Sequence, residues 1–431
     1  MRAAIAFAAL ALSLSPAAAG AAGHDADLAA FRTEFFARDA AYSPEARAEA
    51  ERRLAALEAD SAALSNAAFE LALAGVVALA DNGHTYYAID DWPARFARLP
   101  LTLIVLDGKL YVGAAAGGDA DLAGAEVLRI EGERWPKVEK ALAPYQGGID
   151  ARKRQKLPFF LEAPEIMQAA KLARRGDSLE LAGRRADGKK FRRRIASVPA
   201  DAAAAEAAAT PRLLTLAAAR ADAPLYLQEP ALLYRLRRLD GDIAYVQFRA
   251  NAGRSPDGEG AVAFSKRVIA DLEAAPPRQV ILDQRFNGGG DLNNTRDLMQ
   301  ALPGLVAEGG KVWTIVSGKT FSAGISSVGY LKQAGGDRVV IVGEPVGDRL
   351  EFWAEGRFIE LPESGAQILF ATERHNYMTG CQEDDCHGSI KRHPIRVSTL
   401  DPDYPVTLTY ADFAAGRDPA MEKVMALIGG E

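Results

Sequence analysis

An α/β fold, α+β taken over the whole chain, follows from three features of the sequence. After about residue 230 strand-like and helix-like segments alternate. Between residues 27 and 80 apolar residues recur at helical spacing, and between 100 and 198 they form hairpin patterns. Alternation of the first kind implies helices packed on a largely buried sheet.

The elements can be read in order. Leu28, Phe31 and Phe35 share one helical face, and Ser43-Pro44 places an N-cap ahead of a proline at the first helical position. Helical spacing continues from Arg52 to Leu64 and through Phe69, Leu73, Val76 and Val77, running into "DNGHTYY". From Leu101 the period shortens. "LTLIVLDGKLYVGAA" is two apolar runs around Asp107-Gly108, and a second hairpin turns at Asp187-Gly188, with "GAEVLRIEGE" between them. Residues 199–210, PADAAAAEAAAT, read as a spacer or surface helix.

Beyond the spacer, "DIAYVQFRA", "QVILDQ", "KVWTIVSG" and "RVVIVGE" are strands. The helices between them are "GAVAFSKRVIADLEAA", "LNNTRDLMQALPG" and "SAGISSVGYLKQAGG". The expected organisation is a signal peptide over 1–22, a helical region over 23–99, a β-rich module over 100–198, a linker over 199–229 and an α/β domain over 230–431.

Composition narrows the function. The chain has 431 residues, 49% of them hydrophobic, enough for one large core or several smaller ones. Its 51 Lys+Arg against 57 Asp+Glu give a formal net charge of −6, which argues against a nucleic-acid partner. Met1-Arg2, the apolar run AAIAFAALALSL and the small residues Ala17 to Ala21 have the form of a secretory signal peptide. That run falls short of the roughly 18 residues a membrane span needs. A periplasmic or secreted protein, with no stable membrane insertion after cleavage, is therefore expected. In that setting the two cysteines, Cys381 and Cys386, most simply form a local disulfide. A metal site with His375, His387 and His393 is the less favoured alternative, because the spacing is uncommon for zinc.

The chemistry is suggested by two turns. "VILDQRFNGGGDL" ends a buried strand in Gly288-Gly289-Gly290, which gives up backbone entropy and suits close approach of the main chain. "SGKTFSAGISS" ends the next strand and opens a helix at Ser322. Ser322 could simply cap that helix, or it could be a nucleophile beside unsatisfied helix N–H groups. In the second case N–H groups of Gly288 or Gly289 and of Ala323 would form an oxyanion hole. A phosphate loop is disfavoured because no Gly-Lys-Ser/Thr follows the glycines. A serine nucleophile needs a base, and among five histidines His84, in "LADNGHTYY", is the candidate.

Together "VILDQRFNGGGDL", "GKTFSAGISS", "VVIVGEPVGDR", the upstream Gly83-His84-Thr85 and "AGAEVLRIEGERW" resemble the tail-specific (C-terminal processing) serine proteases. The nearest branch is the one containing the tricorn core. The resemblance spans most of residues 70–427. It implies a crotonase/Clp-protease-like catalytic domain with a small PDZ-like module, and an endopeptidase acting on peptides or proteins without metal or organic cofactor. It further implies Ser322 as nucleophile, His84 as general base, oxyanion N–H groups from Gly288 and Ala323, and an acidic orienter. Glu355 fits that last role by spacing, with Glu351 as the alternative. The Ser-Lys variant of the family lacks its lysine here, because Pro345 to Arg349 contains none. The chain departs from the tricorn pattern at Gly83, where a serine is expected beside the histidine. Two other readings stay open: a non-catalytic binding homologue of the same fold, and an esterase using the same triad.

Overall fold

The computed structural model describes residues 24–201, 211–218, 220 and 222–430. The expected signal peptide and most of the Ala-rich spacer lie outside these residues.

Two six-stranded sheets dominate the architecture. The first is antiparallel and runs in the order Leu101–Leu106, Lys109–Ala115, Glu126–Ile130, Ser178–Arg184 and Lys190–Ala196, with Glu133–Arg134 paired beside the third strand. Its first hairpin turns at Asp107-Gly108, both at positive φ, as a tight two-residue connection requires. The sequence reading of this region as β-rich named none of its helices. Three helices, Trp135–Leu142, Asp150–Glu162 and Pro164–Ala169, lie between its strands. Pro158 sits inside the middle one, and a proline within a run normally argues against a helix.

The second sheet has the order Tyr404–Pro405, Val339–Gly343, Lys311–Val316, Gln279–Asp283, Ile243–Phe248, Tyr234–Leu239. All pairings are parallel except the last. The helices Ala261–Ala274, Asn293–Ala301 and Ala323–Gly335 connect its strands. Val280 and Leu282 pack into the core on the helical side, while Ile281, Trp313 and Ile315 face a core closed by Val424 of the C-terminal helix Pro419–Gly429. Burial on both faces explains why these strands read as continuous apolar runs.

The N-terminal helices Asp25–Ala30, Pro44–Asp60 and Asn66–Val77 share one core with the antiparallel sheet and with residues 359–370. Leu28, Phe31 and Phe35 are buried as their spacing predicts, and Ser43 accepts from Ala46 N at 3.1 Å as an N-cap. Two small sheets join distant parts of the chain: Tyr86–Tyr87 pairs with Gln367–Leu369, and Glu351–Ala354 with Glu373–Asn376. Cys381 and Cys386 form the expected disulfide. No helix among the described residues is long and apolar enough to cross a membrane.

Candidate active site

Parallel pairing of Asp283 with Ile315 brings the ends of two neighbouring strands to one edge of the sheet. Ligand sites of open α/β sheets form at such edges. Here the glycine turn meets the turn that carries Ser322. Gly289 has φ +107°, and a Cβ there would lie 2.6 Å from Ser322 Cβ and 3.1 Å from Ala323 N. Gly290, at φ +131°, would collide with Ala252 in the same way. The glycines therefore let one backbone lie directly against the other.

A buried amide network, which sequence reasoning missed, locks the two turns together. Asn287 Nδ2 donates to Asn251 Oδ1 at 2.7 Å and to Gln284 Oε1 at 3.0 Å. Asn251 Nδ2 reaches Ala323 O and Ser327 Oγ, both at 2.8 Å, and Phe321 N donates to Asn287 O at 2.9 Å. Burying so many amides is sustained only because each finds partners. The available signal was the pair of polar residues, Gln284 and Asn287, at the end of an apolar strand.

Ser322 precedes the helix Ala323–Gly335 with φ 54° and ψ −128°. That is a costly conformation for a residue with a Cβ, of order 1–3 kcal/mol. Ordinary serine caps are present for comparison. Ser43 and Ser65 have extended φ/ψ and accept from the N–H three residues on, whereas the Ser322 side chain makes no capping bond. Such strain at a strand-to-helix turn is the geometry that lifts a nucleophile clear of its helix. The N–H of Ala323, the first helical residue, has no acceptor among the described residues, as expected at a helix start. Gly288 N reaches Arg249 O only at 3.4 Å, while Gly289 N is already donated to Asn287 Oδ1 at 3.1 Å.

His84 arrives from the other half of the chain. After the helix Asn66–Val77, Asn82 fastens the loop to the strand Glu351–Ala354. Its Nδ2 donates to Trp353 O at 3.0 Å and its Oδ1 accepts from Trp353 N at 3.1 Å. Thr85 Oγ1 donates to buried Asp39 Oδ2 at 2.7 Å. The imidazole is stacked between Phe321, the neighbour of Ser322, at 4.2 Å and Phe352 at 5.1 Å. Neither ring nitrogen has a hydrogen-bond partner among the described residues. Burial pushes its pKa down, helped by Arg152 and His375 and opposed by Asp348.

The carboxylate nearest His84 is Asp348, whose Oδ2 lies 3.7 Å from Nδ1, longer than a hydrogen bond. Sequence spacing pointed instead to Glu355 or Glu351. Glu355 Oε1 is 3.1 Å from His375 Nε2, and Glu351 Oε1 accepts from Arg374 at 2.8 Å. The strand Glu351–Ala354 directs both carboxylates to other partners. Glycine at position 83 has a spatial reason: a Cβ there would lie 2.3 Å from Asp348 Oδ2 and 2.9 Å from Phe321.

No protein-family model and no curated protein sequence matches the chain. Solved structures do. Mature CPAF complexed with lactacystin superposes with a TM-score of 0.56 at 13% identity, covering 94% of this chain and 97% of that one. Mature CPAF on its own gives 0.54 at 14% identity, over 91% and 94%. The chain thus shares, over nearly its whole length, the mixed α/β fold of CPAF. The photosystem II D1 C-terminal processing protease aligns over 89% of this chain and 91% of that one at 13% identity, with a TM-score of only 0.33.

Proposed function

We propose that this protein is an exported serine endopeptidase of the tail-specific protease type, with a crotonase-like catalytic half and a PDZ-like β-rich module. The observation that carries this reading is the backbone of Ser322, held at positive φ where an ordinary capping serine would be extended. Its neighbours fit the role. Nδ1 of His84 is turned toward Asp348, which leaves Nε2 for the serine. Burial keeps that imidazole neutral, the state a general base requires.

In the reaction, Ser322 Oγ attacks the peptide carbonyl as its proton passes to His84 Nε2. The carbonyl oxygen becomes an oxyanion held by the N–H groups of Ala323 and Gly288, worth about 3–4 kcal/mol per donor. Collapse of this intermediate expels the amine, which takes the proton from His84. Water, deprotonated by His84, then releases the acyl group from Ser322. Asp348 holds the imidazole's orientation and offsets its charge in the transition state, the role for which the resemblance suggested Glu355 or Glu351. The 3.7 Å separation fits a substrate-free site, where catalytic hydrogen bonds are often long.

The test is intact-mass analysis of the mature protein after treatment with a fluorophosphonate. One adduct per chain, absent from Ser322→Ala and strongly slowed in His84→Ala, is the expected result. A folded wild-type protein that takes up no adduct would sink the reading and leave a binding homologue of the same fold.

A further inference from the structure

A cavity of about 350 Å³ opens beside the two turns, with Gly288 and Phe321 in its wall. Among the described residues, four cations, Arg152, Lys156, Arg212 and Lys319, share this cavity with a single carboxylate, Asp90. Lys156 is paired with Asp90 at 3.3 Å, and Arg212 is committed to Glu162 at 2.9 Å. Arg152 and Lys319 have no carboxylate within ion-pair distance among the described residues. The Arg152 guanidinium lies 3.5 Å over the Phe321 ring, which itself stacks on His84.

Gathering buried cations without matching anions is unfavourable. The cost is visible at Lys319, whose pKa is pulled down to about 8 by burial and by Lys156, Arg212 and Arg152, against the opposing charge of Glu344. A negatively charged occupant would remove that cost. Because Gly288 borders both the cavity and the oxyanion position, the occupant belongs within a residue or two of the scissile bond. The rings of Tyr86, Phe159 and Phe286 in the same walls suit the methylene stem of a side chain. We propose, resting on the serine-peptidase reading, that this cavity is a subsite for an Asp or Glu side chain of the substrate.

The experiment uses fluorogenic peptides with amidated C-termini that differ only by Asp/Asn or Glu/Gln at positions flanking the cleavage site. Wild-type enzyme should favour the acid over its amide by at least about tenfold in kcat/KM, mainly through KM. Lys319→Glu should erase or invert that preference toward Lys/Arg peptides, a gain that misfolding cannot mimic. Equal turnover of acid and amide by an enzyme that still labels with fluorophosphonate overturns the subsite alone. A preference seen only when the peptide ends in a free α-carboxylate also overturns it. Failure of the labelling itself overturns the peptidase reading and this one together.

A second, independent observation lies at the far end of a column of rings. Phe321, His84, Phe352, His375 and His387 stack in succession at 4.2, 5.1, 5.0 and 5.2 Å. At its outer end Glu355, His375 and His387 offer ligand atoms all within 4.8 Å of one another. Both imidazoles are held from their other nitrogen, as metal-binding histidines usually are. His387 Nδ1 is 2.7 Å from Glu373 Oε2. His375 Nδ1 is 3.0 Å from Tyr377 Oη, which is 2.6 Å from Ser326 Oγ. Glu355 is held at φ +61° and lies at the surface, giving an ion a way in.

We infer that Glu355, His375 and His387 bind a late first-row divalent cation such as Zn²⁺, whose ligand preferences include imidazole and carboxylate. Titration of the full, disulfide-intact chain with Co²⁺ should give one equivalent bound, with visible absorption of low-coordinate geometry. His387→Ala and Glu355→Gln should each weaken binding at least about tenfold. No saturable binding by folded wild-type protein, or equal binding by His387→Ala, would show that these groups are only ion pairs. Cys381 and Cys386, tied in the disulfide, are not ligands in this experiment.

Discussion

His84 Nδ1 faces Asp348 Oδ2 across 3.7 Å, in a pocket where neither atom has a hydrogen-bond partner among the described residues. Two unsatisfied groups of complementary character, buried side by side, carry a cost that a stability role alone would not explain. In the proposed reaction they meet when the imidazole becomes charged. Asp348→Asn should therefore slow peptide cleavage and phosphonate labelling by roughly 10²- to 10⁴-fold. Glu355→Gln and Glu351→Gln should stay within about threefold of wild type. A large loss in Glu355→Gln with a small one in Asp348→Asn would return the orienting role to Glu355.

The pH profile follows from the sign of the His84 shift. Its pKa is lowered from 6.5 because burial disfavours the charged ring; Arg152 and His375 act the same way and Asp348 opposes them. The neutral, working base exists above the folded pKa, so cleavage should rise with pH through a midpoint below 6.5 and be near its plateau at pH 7. The measurement is kcat/KM between pH 4.5 and 8. A midpoint above 6.5 would contradict the burial argument.

Strain at Ser322 predicts an asymmetry between two inactive variants. Glycine accepts φ 54° and ψ −128° freely, whereas alanine does not. Ser322→Gly should accordingly be more stable than Ser322→Ala by about 1 kcal/mol. Thermal melts of the two variants decide it, and equal or reversed stabilities would mean that the turn is relaxed.

Gly83→Ser tests the close contact beside His84. Its Cβ would be forced to within 2.3 Å of Asp348 Oδ2 unless the loop shifts. The expected cost is about 1–3 kcal/mol of stability, with a loss of labelling rate of at least about tenfold. Unchanged melting and labelling would show that the contact yields without consequence.

Much of this protein was legible from its sequence because the determining interactions are local. Apolar runs ending in glycine or in a serine-led helix mark the strands and turns of the parallel sheet, and Ser43-Pro44 marks a helix start whatever surrounds it. The same local logic singles out Ser322, Ala323, Gly288 and Gly289 as candidates for the proposed site. Spacing could not identify the carboxylate beside His84. Glu355 and Glu351 lie on or beside a short strand whose pairing with Glu373–Asn376 hands them to His375 and Arg374, and only the fold brings Asp348 against a loop more than 250 residues earlier. The helix Asp150–Glu162 was not read from the sequence, and it forms with Pro158 inside it, where packing outweighs a local signal against helix. Its residues Arg152 and Lys156 then supply half of the cations of a cavity; the basic run from Arg152 to Lys156 is plain in the sequence, but its meeting with Arg212 and Lys319 is not. Backbone geometry is written within a few residues, whereas side-chain partnerships, and the charges left without one, depend on which distant surfaces are buried together.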